Sequence, residues 1–103
     1  MSQFFILNNN KLTIQEEPPN DIDVLADYCM RLLDSDASEV IISIGDNVSM
    51  LRSIHIGALV SAAVRAKQLD KTLKITCNET LAEWLTVLGG YYLHAQNIVE
   101  TIY

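Results

Sequence analysis

The sequence predicts an α/β fold with a partly parallel sheet. Segments with alternating or continuous apolar residues take turns along the chain with segments whose apolar residues recur every three or four positions. Half of the 103 residues are apolar, enough for one core, and four glycines and two prolines are too few for a disordered chain. No long linker and no internal repeat divides 1–103, so a single domain is expected.

Phe4 to Leu7 reads as a short strand, and Lys11-Leu12-Thr13-Ile14-Gln15 alternates polar with apolar. Asn8-Asn9-Asn10 between them suits a turn, so the two form a hairpin. Pro18-Pro19 breaks the chain before a helix from about Asp21 to Leu33. Its stripe is Ile22, Leu25, Ala26, Cys29, Leu32 and Leu33, with Asn20 or Asp21 as cap. Val40-Ile41-Ile42-Ser43-Ile44 follows, a β-branched run that suggests a strand covered on both faces.

A second helix is expected over about Ser53 to Gln68, with Ile54, Ile56, Leu59, Val60, Ala63, Val64 and Ala66 apolar. Gly57, Ala58, Ser61 and Ala62 add a strip of small residues on which another element, or a second copy, can sit closely. Lys71 to Thr76 alternates as a strand, Asn78 is a good N-cap, and Thr80 to Leu88 forms a helix that stops at Gly89-Gly90. The tail reads as an edge strand around Tyr91–Leu93 and a short helix around Gln96–Ile102.

Net charge is −6, unevenly spread: residues 1–46 hold nine acids against two bases, and residues 47–103 four against five. An acidic chain with no basic stripe gains nothing from phosphate backbones or anionic lipid, so nucleic acid and membrane insertion are poor expectations. There is no apolar run long enough to span a bilayer and no basic leader at the N-terminus, which points to the cytoplasm. Cys29 and Cys77 form no CxxC and read as small buried thiols. His55 and His94 lack metal-ligand spacing, so neither metal nor cofactor is expected. Ser53, His55 and Asp46 invite comparison with a catalytic triad. Residues two apart on a helix diverge, however, and the glycine-flanked nucleophile turn is missing. Trp84, beside Leu81, Leu85 and Leu88, reads as core or half-buried helix face.

The register between segments carries more than any one motif. The strand Val40–Ile44 is followed by Asp46, and Gly57 lies eleven residues further on. Leu73-Lys74-Ile75-Thr76-Cys77-Asn78 supplies another strand and cap, and Leu85-Thr86-Val87-Leu88-Gly89-Gly90 a leucine-rich helix end. From Val40 to Gly90 the chain resembles the STAS fold, the domain shared by bacterial anti-sigma factor antagonists and sulfate transporter tails. In that family a buried strand ends in Asp, and a loop leads to an Asp-Ser-Ser-Gly-Leu-type motif that opens a helix. Asp46 matches the strand-end aspartate and Gly57 the motif glycine, while residues before Val40 match in element order alone. The resemblance implies a STAS-like domain over 1–103, with a mixed four- to five-stranded sheet and helices mainly on one face.

The departure from the family is informative. Family antagonists are phosphorylated on the serine before the motif glycine, and here that position is Ile56, preceded by His55 and Ile54. A phosphoserine switch works by adding negative charge to a docking surface, which a side chain without a hydroxyl cannot do. Ser53 and Ser49 are the nearby candidates for a substitute phosphoacceptor. The resemblance implies a non-enzymatic protein–protein interaction domain, antagonist-like or a scaffold in signal transduction and transcription regulation, without the serine switch. Its docking residues would be Asp46, Ser49, Arg52, Ser53, His55, Ile56 and Leu59, and its partner a GHKL-type anti-sigma kinase. One alternative is an accessory subunit docking onto a membrane transport ATPase. Another is a small ligand-binding protein or enzyme with a site near Asp46 and His55.

Overall fold

The computed structural model describes residues 4–16, 22–48, 51–87 and 99–101. Two short strands, β1 (Phe5–Asn8) and β2 (Lys11–Ile14), form the expected hairpin. They are followed by α1 (Ile22–Leu33), β3 (Glu39–Ile44), α2 (Ser53–Gln68), β4 (Thr72–Cys77), α3 (Glu79–Val87) and β5 (Val99–Thr101). The strands lie in chain order in one sheet, β1 antiparallel to β2 and each later strand parallel to its predecessor. This is a mixed five-stranded α/β architecture. Right-handed crossovers between successive neighbours all turn the same way, which places the helices on one face.

Burial records that one-sidedness. Leu12, Ile14, Val40, Ile42, Ile44, Leu73, Ile75 and Cys77 are buried under the helices, while Thr13, Ile41, Ser43, Lys74 and Thr76 between them are half-exposed. The expectation that Val40–Ile44 is covered on both faces is therefore corrected. A β-branched run gives no period from which to tell one covered face from two, and Ile41 stands in register between Lys11 and Lys74 on the solvated side.

The helix layer brings α1 and α2 together over the sheet. Leu25, Cys29, Leu32 and Leu33 turn inward from α1, and Phe5 meets the Tyr28 ring at a centroid distance of 4.8 Å. On α2 the buried stripe is His55, Ile56, Ala58, Leu59, Ala62, Ala63 and Ala66. Val64, expected inside, is exposed, and Ala58 and Ala62 from the small-residue strip are buried instead. The element that sits on the strip is α1: Ala26, Cys29 and Met30 face Gly57, Ala58, Ser61 and Ala62 across a groove of about 180 Å³.

The expected short helix over Gln96–Ile102 is overturned in part, because Val99–Thr101 is a strand paired parallel to β4. Val and Thr fit a pleated sheet edge better than a helix. The caps at Asn20 and Asp21, the stop at Gly89-Gly90 and the strand around Tyr91–Leu93 lie outside the described residues.

The N-terminal edge of the parallel strands is held by main-chain carbonyls. Asn9 takes a left-handed backbone (φ 54°) in the hairpin turn, and Asn10 donates its amide to Glu39 O at 3.0 Å. At the end of α2, Asp70 is also left-handed (φ 57°). Its N–H bonds Lys67 O and the Lys71 N–H bonds Ala66 O, which together make a Schellman motif. That turn aims Lys71 across the edge, where its ammonium donates to Ser35 O at 2.6 Å and Ala37 O at 2.7 Å. Lys71→Met keeps the stem and removes both bonds. It should lower unfolding free energy by about 1–3 kcal/mol, the usual worth of hydrogen bonds to a charged group. The readout is the urea midpoint, and a loss under about 0.5 kcal/mol, the scatter of neutral surface changes, would refute the clasp.

Candidate functional site

In parallel α/β sheets, sites gather beyond the carboxyl ends of the strands, where successive loops converge. Here that edge carries the loop from β3 to α2 and the cap of α3. Gly45 closes β3, its N–H on Ile14 O at 2.9 Å, and a Cβ there would stand 3.4 Å from that same oxygen. The chain then turns, with Val48 N–H on Gly45 O at 3.0 Å, and leaves Asp46 and Asn47 exposed. Val48 and Leu51 are fully buried, so the loop is anchored from below at two points.

Arg52 is the N-cap of α2, in extended backbone (φ −80°, ψ 163°). Its carbonyl accepts from His55 N–H at 3.0 Å and Ile56 N–H at 3.1 Å. A guanidinium has no acceptor, so Arg52 cannot cap the helix through its side chain as Ser or Asp would. What remains is the reverse half of a capping box: Arg52 N–H donates to His55 Nδ1 at 3.3 Å. Accepting at Nδ1 puts the imidazole proton on Nε2 in the neutral ring.

A second tie comes from α3. Asn78 accepts Leu81 N–H on its Oδ1 at 2.8 Å, the expected N-cap. Its Nδ2 donates to Asp46 Oδ1 at 3.2 Å. One turn further on, Trp84 Nε1 donates to Leu51 O at 2.8 Å. Exposed Glu79 and Glu83 lie on the same helix, so this edge presents carboxylates around the single cation of Arg52 among the described residues of its loops.

Asp46 and Arg52 are exposed at one edge, as a docking role needs. Ser49 lies outside the described residues, and Ser53 is placed only by its backbone, as the first residue of α2. His55, Ile56 and Leu59 are corrected: their relative exposures are 0%, 3% and 0%, so they belong to the core. The physical reason is helix phase. Residues 55, 56, 59, 62, 63 and 66 form one stripe at helical spacing, and tracing it back from Ala66 would have turned His55 inward. An Ile56→Glu change would therefore bury an unpaired carboxylate and test folding rather than docking.

The link from Asn78 to Asp46 and the Trp84 clamp were not legible as such. The cap at Asn78 was, but the second end of an Asn amide has no sequence signal. Among the described residues, no group of three or more His, Cys, Asp or Glu is placed to hold a metal ion, and no helix is long and apolar enough to cross a membrane. No protein-family model matches the chain, and no curated protein matches it.

Burial pushes the Cys29 thiol up to about 12 and the Cys77 thiol up to about 11. Both thiols stay protonated and unreactive in the fold. An unfolded chain releases such protons near pH 9, earlier than the folded one, so stability is complete below that pH and falls as pH climbs past it. Urea titrations in reductant should show a flatter alkaline decline for a Cys29→Ala/Cys77→Ala variant than for the parent chain; parallel declines would contradict it. Asn78→Ala should cost about 1 kcal/mol through the lost cap. Asn78→Ser, which keeps an acceptor for Leu81 N–H without the amide donor to Asp46 and adds no charge beside it, should cost less. Equal losses would mean that the cap is not what matters.

Proposed function

We propose that this chain is a STAS-like, non-enzymatic docking domain acting in the cytoplasm, with its docking surface at the carboxyl edge of the parallel strands around Asp46, Asn47 and Arg52. The observation that carries this reading is the construction of the loop from Gly45 to Arg52. Val48 and Leu51 root it in the core, and Asn78 and Trp84 tie it to α3, while Asp46 and Arg52 point their charges outward. Described residues held in this way, Asp46 and Arg52 among them, lose little entropy when a partner binds. The order of elements and the mixed five-stranded sheet also fit what the resemblance implies.

The partner proposed is a regulatory kinase of the GHKL type. Ile56, at the family's phosphoacceptor position, has no hydroxyl and is buried, so phosphorylation there does not release it and docking is constitutive. A ligand or catalytic site built on Asp46 and His55 has less support. Asp46 bonds Asn78, whereas the His55 ring is buried with its Nδ1 on Arg52 N–H.

Affinity capture from the native cells, with intact-mass analysis of the bait, tests this reading. Asp46→Lys/Arg52→Glu reverses the charges of the edge without touching the core. It should lose about tenfold or more of the partner held by the parent chain, as expected for charged contacts at an interface. Asp36→Lys, at the opposite edge, should lose none. Equal capture by all three would reject the placement, a transport ATPase in place of a kinase would reject the regulatory assignment, and a phosphorylated bait would reject the constitutive mode.

A further inference from the structure

The two ties on the docking loop meet on a single amide. Leu51 C=O accepts from Trp84 Nε1 at 2.8 Å, and Arg52 N–H, the other end of the same peptide unit, donates to His55 Nδ1 at 3.3 Å. Trp84 belongs to α3 and His55 to α2. A peptide unit is planar and rigid, so it cannot swing away from one side chain while keeping its bond to the other. The bonds also reinforce each other electronically. Accepting at the oxygen polarises the amide and makes its N–H a better donor. Leu51 is fully buried beneath and Arg52 exposed above, so the unit sits where the loop passes from core to surface.

We propose that the 51–52 amide is a two-sided latch, coupling the docking loop to α2 and α3 at once. A partner that pulls on Arg52 turns this plane and loosens the Trp84 indole on one side and the His55 ring on the other. That docking makes use of the latch rests on the function proposed above; the latch itself does not.

Hydrogen exchange followed by NMR on the full chain tests it without any partner. In the parent chain both Arg52 N–H and the Trp84 indole N–H should be protected by their hydrogen bonds. Trp84→Phe keeps an aromatic ring but removes the donor. Compared with parent chain brought by urea to the same global stability, it should speed exchange of Arg52 N–H by about tenfold, the scale of one net hydrogen bond, while Ile42 and Ile75 N–H at the centre of the sheet exchange at matching rates. His55→Leu should speed the Trp84 indole proton by a similar factor. Should His55→Leu fail to fold, the Trp84→Phe arm decides alone. An Arg52 N–H whose exchange is unaltered by Trp84→Phe overturns the latch, and so does acceleration shared equally by Ile42 and Ile75, which would mean general destabilisation. Neither result bears on whether the edge docks a partner, which the capture experiment reads separately.

Discussion

Placing β2 to β5 side by side in chain order obliges each crossover to turn in the same direction, and the rest of the molecule follows from that constraint. The helices share one face, so one layer of strand side chains meets them and the core is a single slab. The loops divide between two edges. At one, the hairpin turn, the α1–β3 loop and the end of α2 converge, fastened by Asn10 and Lys71 onto main-chain oxygens. At the other, the loop after β3 and the start of α3 converge, fastened by Asn78 and Trp84. Both edges are tied by side-chain hydrogen bonds, but they differ in what they show to solvent. A cation is spent internally at the first edge, whereas Asp46 and Arg52 remain outward at the second.

Much of this was legible in the residues. The bounds of α2 emerge from its composition, and the cap at Asn78 from a side chain whose acceptor suits a helix start. The hairpin around an Asn-rich turn was equally readable, although Asn8, read as part of the turn, ends β1 and pairs with Lys11. On α2 the errors concern the phase of the element rather than its existence. Val64 and His55 were each assigned to the wrong side of α2, because alanines on the buried stripe give a weaker hydrophobic signal than a valine outside it. At Val99–Thr101 a short segment obeyed its β-branched residues and the open edge of β4, not a helical reading of the residues around it.

The candidate site was legible in part. A turn after a buried strand and a helix start beyond it locate Asp46 and Arg52. The ties that fix them come from Asn78 and Trp84, more than thirty residues away in sequence. Such bonds depend on how α3 lies against the sheet edge, which is a property of packing and leaves no local pattern. Helix phase decided which of the side chains around the start of α2 reach solvent.

The half-exposed face of the sheet has a consequence for how the chain can change over time. Along β3 and β4, every second residue faces helices that tolerate little change of volume, because cavities and overpacking there are both costly. The residues between them, Ile41 and Ser43 on β3 and Lys74 and Thr76 on β4, are half-exposed and are held less closely to a fixed volume. Drift in the strands should thus be channelled to alternate positions, with the two sides of one sheet changing at different speeds. Related chains can then keep the same slab of core while their open faces diverge beyond recognition.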